Sequence, residues 1–258
     1  MQIQIVTLNT WKCDGDYYNR RQLLANQLKA LTPHIVACQE CFLTEDEKVD
    51  TLRFLAEELD MYYHFTPARL KPRLLGDDEV NSYSGLGVLS AFPIKVLAAF
   101  DLPFNEADGE RKVQQVSIEI TEHKRLLLTN VHLTHLHNAA TLRKNQLTQI
   151  AHKTAGKNFD YNIICGDFNT TPDSAELIHF KTQSEAIDCY ETGGGKAPRV
   201  SLKENGTERN VDYIFALPAG RLSEYPNVIK SATVLNLPDD SGMYASDHFG
   251  ISTTLNTA

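Results

Sequence analysis

Apolar segments at Tyr62 to Phe65, Leu86 to Ser90, Ile94 to Phe100, Val113 to Ile120 and Leu126 to Leu133 follow one another in quick succession. No other feature restricts the fold as much. Strands joined by short turns pair antiparallel, because parallel neighbours need a crossover of a dozen or more residues. Ile3 to Leu8 reads as a strand, and Arg20 to Leu31 carries Leu23, Leu24, Leu28 and Leu31 at helical spacing before Thr32-Pro33 stops it. A short strand over Ile35 to Cys38 follows. Thr44 to Leu59 then reads as a helix with Val49, Leu52, Leu55, Ala56 and Leu59 on one face and Glu45, Asp46 and Glu47 in its first turn. Beyond the block come a helix over Asn138 to Lys153 and a strand over Tyr161 to Cys165. Thr171-Pro172 is expected to open a short helix, and strands follow at Val211 to Ala216, Val228 to Leu235 and Phe249 to Leu255. The chain thus reads as α+β, and with no Pro/Gly/Ser linker to divide it, as a single domain over residues 1–258.

Composition narrows the function. With 42% of 258 residues apolar and 22% charged, the chain has ample material for a core, which excludes disorder. No apolar run reaches the ~18 to 20 residues of a membrane helix, and no charged leader precedes Ile3. The expectation is a soluble, cytoplasmic protein without stable membrane association. A net charge of −8 argues against a broad duplex-DNA surface and leaves room for a small or short anionic substrate. The five cysteines are odd in number and sit in or beside apolar segments, so a disulfide framework is not expected. Cys38 and Cys41 have the spacing of a redox or zinc pair but close a strand-like run instead of opening a helix, and are read as buried thiols.

The polar residues recur where apolar runs end. Asn9 follows Ile3 to Leu8, Glu40 follows Ile35 to Gln39, and His132 lies near the end of Leu126 to Leu133. Asp167 and Asn169 follow Tyr161 to Cys165, Asp212 opens a strand, and Asp247-His248 precedes Phe249. Each has an ordinary explanation taken singly: a turn for Asn9, solvation for Glu40, a backbone-bonded core position for His132. As a set they offer four carboxylates and two imidazoles to one cleft. Four converging acids repel one another and raise one another's pKa, which calls for a cation or a dense hydrogen-bond network. Without a Cys/His cluster at zinc spacing, oxygen ligands favour Mg²⁺, with Mn²⁺ as the alternative.

The ordered set Leu8-Asn9, Gln39-Glu40, Asn130-Val131-His132-Leu133, Gly166-Asp167-Phe168-Asn169, Val211-Asp212-Tyr213-Ile214 and Ser246-Asp247-His248 resembles the endonuclease/exonuclease/phosphatase superfamily, from residue 5 to about residue 252. The resemblance implies a four-layer α/β/β/α sandwich of two mainly antiparallel sheets, with helices outside and a metal-dependent phosphoester hydrolase site at one edge. It also implies roles: Glu40, Asn9 and Asp247 as metal ligands, Asp167 aligning or deprotonating the attacking water, and Asn169 donating to phosphoryl oxygens. Asp212 would orient His248, which binds phosphate or moves a proton, and His132 would stabilise the transition state. In one respect the chain departs from the pattern. Abasic-site endonucleases of this superfamily carry an acid two positions after the first Asn, where this chain has Trp11; that weakens a DNA-repair reading and a second metal, with Asp14 and Asp16 as substitutes.

Substrate residues are expected outside this set. Pro67 to Arg73 reads as a proline-marked loop bearing Arg69, Lys71 and Arg73, and Arg111 and Arg209 stand just before strands that lead to the site. Arg143 and Gln146 fall on the polar face of a helix, Arg143 in a structural ion pair. Tyr83 and Trp11 suit stacking on a base and equally suit packing on a helix. Three functions remain: a Mg²⁺- or Mn²⁺-dependent phosphodiesterase or nuclease on a small or single-stranded phosphoester, a sphingomyelinase-like or inositol-phosphate phosphatase-like enzyme acting on head groups, and a non-catalytic phosphate-binding protein of the same fold.

Overall fold

The computed structural model describes residues 1–204, 206–219 and 224–257. Its elements run β1 (Gln2–Asn9), α1 (Tyr17–Leu31), β2 (Ile35–Thr44), α2 (Thr51–Leu59), β3 (Tyr62–Leu75), β4 (Asp78–Ser90), β5 (Ile94–Leu102), β6 (Arg111–Thr121), β7 (Lys124–His132) and α3 (Ala140–Thr154). Then follow β8 (Tyr161–Asp167), α4 (Ala175–Ser184), β9 (Ile187–Asp188), α5 (Cys189–Thr192), β10 (Leu202–Glu204), β11 (Thr207–Arg209), β12 (Asp212–Leu217), β13 (Asn227–Val234) and β14 (Gly250–Asn256). One sheet has the order β13-β14-β1-β2-β4-β3 and the other β5-β6-β7-β8-β12-β9; β10 and β11 form a separate hairpin. Each large sheet has a single parallel pair, β1–β2 and β7–β8, and each of these is bridged by a helix, α1 or α3. Among the described residues no helix is long and apolar enough to cross a membrane.

Strand alternation builds the layers. Ile3, Ile5, Ile35 and Ala37 of the first sheet meet Leu126, Leu128, Ile163 and Ile214 of the second in one buried cluster between the sheets. The intervening Val6, Leu8, Val36 and Cys38 face outward onto Leu24 and Leu28 of α1 and Leu52 and Leu55 of α2. On the far side Val131, Ile164, Tyr213 and Phe215 pack under Leu147 and Ile150 of α3 and Phe180 of α4. The result is the four-layer α/β/β/α sandwich, with mainly antiparallel sheets inside.

Several expectations need correction. Pro67 to Arg73 is not a loop: it lies in β3, paired with β4 through a register shift between Pro67 and Arg69. Proline survives there because β3 is an edge strand, with one row of amides that has no ladder partner. Glu45 to Glu47 precede the second helix, which Asp50 caps by accepting from the amides of Leu52 and Arg53 at 2.8 and 3.0 Å. Thr171 does not cap α4; Ser174 does. Asp16, a possible substitute acid, instead caps α1 and accepts from Asn19 Nδ2 at 2.8 Å.

Arg143 and Gln146 point inward, not to solvent. Arg143 Nε meets Glu176 Oε1 at 2.9 Å, and Gln146 donates to Pro103 O at 2.7 Å and accepts from Thr134 N at 3.1 Å. Both therefore fasten the segment that leaves His132. Burial alone would raise the Glu176 carboxyl, but the hydrogen bond from Arg143 and those from the backbone and Thr170 outweigh it and hold the group low. A lowered folded pKa contributes stability above the unfolded value of ~4.3 that is lost as pH falls through the folded value. Glu176→Gln is expected to cost about 3 kcal/mol at neutral pH, by leaving Arg143 buried and unpaired. It should also flatten the decline in urea midpoint below pH ~5. Parallel midpoint-versus-pH curves for the two proteins would contradict this.

Candidate active site

The inter-sheet rows that form the core also build the site. In β1 the inward row Ile3, Ile5, Thr7 continues to Asn9; in β7 Leu126 and Leu128 continue to Asn130 and His132; in β8 Tyr161, Ile163 and Cys165 continue to Asp167. The strand β12 runs antiparallel to β8, so its first residue, Asp212, stands opposite Asp167, while His132 is the parallel partner of Asp167. His132, Asp167 and Asp212 thus form a row across three adjacent strands. Glu40 arrives differently. Alternation from Gln39 would point it outward, but a register shift between Cys38 and Cys41 and a φ of 54° at Glu40 make a bulge. Cys38 and Cys41 both stay in the outer cluster, which leaves Gln39 and Glu40 together on the inner side. The site acid therefore lies inside β2 and not beyond its end.

The Gly166-Asp167-Phe168-Asn169 turn has a physical reason for each residue. A Cβ at Gly166 would stand 2.0 Å from the Val131 carbonyl oxygen, so only glycine lets β8 approach β7 this closely. Phe168 packs edge-on against Tyr213 and Phe215 with centroids 5.4 and 5.2 Å away. Asn169 takes a left-handed φ of 50°, and its amide N–H donates to Asp167 Oδ1 at 2.9 Å. Its side-chain Nδ2 donates to Leu133 O at 3.1 Å.

Hydrogen bonds tie the sheets together at the site. Asn9 Nδ2 donates to Asp167 Oδ2 at 3.1 Å, from one sheet to the other. Below it Asn130 Nδ2 donates to Cys38 O and Gly87 O at 3.0 Å each, and Asn130 Oδ1 accepts from Gln39 Nε2 at 2.8 Å. The buried Arg20 donates to Thr10 O, Asp14 O and Ala245 O, locking the loop after Asn9 to the segment before Asp247. Trp11 packs under this same guanidinium, 4.6 Å from the ring centroid, so its ring rests on a residue of α1. Tyr83 stands in β4 between Leu43 and Leu70. All five cysteines are free and buried.

The charges divide into two sets. His248 Nδ1 lies 2.8 Å from Asp212 Oδ2, and His248 Nε2 lies 3.8 Å from Asp167 Oδ2. Burial alone would lower His248, yet the charge and hydrogen bond of Asp212 and the charge of Asp167 raise it to about 10, so it is an imidazolium. Burial and then the charge of Asp212 raise the Asp167 carboxyl, while His248, Asn9 and the Asn169 amide oppose the shift. His132 Nε2 is 3.5 Å from Asp167 Oδ2; burial and Arg111 push this imidazole well below its usual range, leaving it neutral. On the other side Glu40 Oε2 takes Lys12 Nζ at 2.6 Å. Burial opposes ionisation of Glu40, but Lys12 and His132 lower it to about 2. Asp247 is raised by burial and next, against the pull of His248, by the charge of Glu40. Among the described residues no basic side chain lies within 4 Å of its carboxylate.

Two groups could receive a cation. Asp167, Asp212 and His248 bring one ligand atom each within 4.8 Å of one another, and Asp212 Oδ1 is buried without a hydrogen-bond partner. A charged imidazolium, however, has no lone pair to give, and a metal there would have to displace its proton. Glu40 and Asp247 with the Asn9 amide oxygen supply hard oxygen donors, one of them ionised over the whole working range. A divalent ion between them would relieve their repulsion. The chemistry of this second set, oxygen donors alone, suits a hard divalent ion.

Sequence reasoning missed three residues here. Lys12, His135 and Asp108 crowd the site: Asp108 pairs with Arg111 and lies 2.6 Å from His135 Nδ1, and Arg111 reaches both ring nitrogens of His132 at 3.1 and 3.0 Å. Of the expected substrate residues, Arg69, Lys71 and Arg111 line one cavity with Glu40 and His132. Arg209, paired with Glu204 at 2.8 Å, lines a neighbouring cavity with Asn9, Asp167, Asn169, Asp247 and His248. The only signal for His135 was its position three residues after His132.

The sequence profile of the Endonuclease/Exonuclease/phosphatase family matches residues 6–248, and the chain belongs to that family, whose members hydrolyse phosphoesters and in general need a divalent metal. No curated protein matches the chain. An endonuclease/exonuclease/phosphatase family protein from Leptotrichia buccalis is 20% identical, with a TM-score of 0.77 over 98% of this chain and 99% of the other. D. rerio TDP2 complexed with single strand DNA product is 21% identical over 99% of each chain, with a TM-score of 0.77. A Bacteroides thetaiotaomicron mannosyl-6-phosphatase is 17% identical, with a TM-score of 0.71 over 98% of this chain and 99% of the other. At these identities the likeness establishes the fold.

Proposed function

We propose that the chain, acting as one unit over residues 1–258, is a Mg²⁺- or Mn²⁺-dependent phosphodiesterase or nuclease for a small or single-stranded phosphoester. The observation that carries this reading is the cavity of about 290 Å³ in which Asn9, Glu40, His132, Asp167, Asn169, Asp247 and His248 all present side chains. Glu40, Asp247 and Asn9 hold the metal, which when bound supplies positive charge to the phosphoryl oxygens. Asp167, buried and raised above an ordinary carboxylate but held by two donors, orients the attacking water and takes its proton. Asp212 fixes the His248 ring, whose charged Nε2–H faces the place where negative charge develops on the phosphoryl group or leaving oxygen. His132, kept neutral by burial and Arg111, donates a hydrogen bond there without adding charge. Asn169 contributes its amide from the rim, and Arg69, Lys71, Arg111 and Arg209 attract the substrate. The free, buried thiols accord with a reducing, cytoplasmic setting.

The test is release of p-nitrophenol from bis-p-nitrophenyl phosphate and from p-nitrophenyl phosphate. Diester cleavage above monoester cleavage is expected with Mg²⁺ or Mn²⁺, abolished by EDTA and restored by excess metal. Cleavage of the monoester alone would make the protein a phosphatase. No release from either ester with either metal would favour a phosphate-binding protein and defeat the proposal.

A further inference from the structure

The cleft has a second lobe. A cavity of about 140 Å³ shares Lys12, Glu40, His132 and His135 with the larger one and runs on between the β3–β4 hairpin and residues 108–112. Its volume is several times the ~30 Å³ share of one water. Arg69, Lys71 and Arg73 occupy alternate positions of β3 and so share one face of that strand. On β4, Ser84 pairs with Arg69 and Ser82 with Lys71, and the small residues Ser84 and Gly85 line the lobe. Arg69 reaches across the lobe: a Cβ at Gly109 would lie 2.6 Å from its Nη1. The far wall carries Arg111.

The charge balance of this lobe is unusual for a chain of net charge −8. Its acids are already engaged or peripheral: Asp108 holds Arg111 and His135, Glu40 holds Lys12, and Glu110 is exposed at the rim. Among the described residues no carboxylate lies within 4 Å of the cationic groups of Arg69, Lys71 or Arg73. Arg73 instead donates to Ser82 O and Ser82 Oγ and to Arg69 O, and its buried Nε has no partner. Burial and then the neighbouring charges of Arg73 and Arg69 lower the Lys71 ammonium, as expected of cations pressed together. Three cations without acids, fixed on one strand face around an open space, are complementary to a multiply charged anion. Guanidinium forks and a lysine match the oxygens of a phosphate monoester, whose charge is about −1.5 to −2 at neutral pH.

We propose that this lobe binds a second phosphate group of the substrate, so that the preferred substrate is a phosphoester carrying a terminal phosphate monoester beside the scissile phosphate. The assignment rests on the hydrolase reading above and deepens it by naming the substrate class. Because His132 and Glu40 line both lobes, the two phosphates are neighbours in one molecule and not ligands of separate sites.

The experiment compares kcat/KM within matched pairs, using the full chain with Mn²⁺. One pair is 5′-phosphorylated dithymidylate against dithymidylate with a free 5′-hydroxyl. The other is glucose 1,6-bisphosphate against glucose 1-phosphate. The second phosphate is expected to raise kcat/KM roughly 10- to 100-fold in at least one pair, the effect of one or two charge-assisted hydrogen bonds. Selectivity confined to the first pair identifies a nucleic-acid end, and selectivity confined to the second a phosphosugar. In Arg69→Gln/Lys71→Gln the ratio should fall to within about threefold of one. Wild-type ratios within threefold of one in both pairs, alongside metal-dependent cleavage of bis-p-nitrophenyl phosphate, overturn the second-phosphate site and leave the hydrolase reading standing. If no substrate turns over, calorimetric binding of the same compounds decides. Tighter binding of a bisphosphorylated member that the double substitution abolishes supports the site, and equal binding within both pairs overturns it.

Discussion

Asp167→Asn is expected to lower kcat for the diester about 10³-fold or more while leaving the protein folded. The substitution preserves shape. An amide oxygen can still accept from the Asn169 amide, which donates to Asp167 Oδ1 at 2.9 Å, and Phe168 remains anchored in its aromatic cluster. What disappears is the proton acceptor. General-base catalysis is worth ~10²- to 10⁴-fold, and Asp167 is placed for the upper part of that range, because burial and the charge of Asp212 raise its basicity above an ordinary carboxylate. The stability change should be small, since relief of the repulsion between like charges in register across β8 and β12 offsets the loss of the hydrogen bond from Asn9 Nδ2 and of the attraction to His248. Its partner His248 gives a graded comparison. His248→Gln removes a positioned donor and is expected to cost ~10²- to 10³-fold in kcat. The measurement is kcat and KM for both variants with bis-p-nitrophenyl phosphate, beside urea midpoints. An Asp167→Asn enzyme within tenfold of wild type and with an unchanged midpoint would remove Asp167 from the proton-transfer role.

These residues were readable for a geometric reason. Asn9, His132, Asp167 and Asp212 extend the inward apolar rows of their strands by one or two two-residue steps, so a pattern of apolar runs ending in polar residues locates them. Glu40 obeys a different rule. Its position after Gln39 was plain, but alternation alone would have turned it away from the cleft, and only a bulge in β2 corrects that. The prolines at 67 and 72 disguised β3 as a loop, because a lone sequence does not show which strand lies at a sheet edge. The start of α2 was misplaced for a related reason: three acids suit a first helical turn, but the side chain of Asp50 supplies the actual cap. Lys12, Asp108 and His135 were not legible. They come from loops or turns, with a left-handed φ of 41° at Lys12, and they meet through packing that no periodicity encodes.

Glu40→Gln is expected to weaken Mn²⁺ binding at least ~100-fold and to lower turnover at limiting metal by about 10³-fold, with partial rescue when the metal is raised. Loss of an outer partner of a metal ligand costs ~10- to 100-fold in affinity, and a charged donor in direct contact should exceed that. Glu40 is suited to the task because Lys12, 2.6 Å away, is the largest influence holding its carboxyl down to about 2 in spite of burial. The neutral amide keeps an oxygen but loses the charge that attracts a divalent ion and that raises its neighbour Asp247. It also leaves Lys12 with Asp14, 3.3 Å away, as its remaining acidic partner, so the lysine should turn toward the loop after Asn9. Titration of free Mn²⁺ followed by electron paramagnetic resonance reads binding without reference to turnover. It also separates the two possible cation positions. If Glu40→Gln binds Mn²⁺ like the wild type and Asp212→Asn does not, the ion belongs with Asp167, Asp212 and His248, whose ligand atoms lie within 4.8 Å of one another. That result would require His248 to surrender its proton on metal binding. If instead Asp212→Asn leaves the isotherm unchanged and lowers only kcat, then Asp212 orients the imidazolium and the metal sits on the oxygen donors contributed by β1, by the bulge of β2 and by the segment before β14.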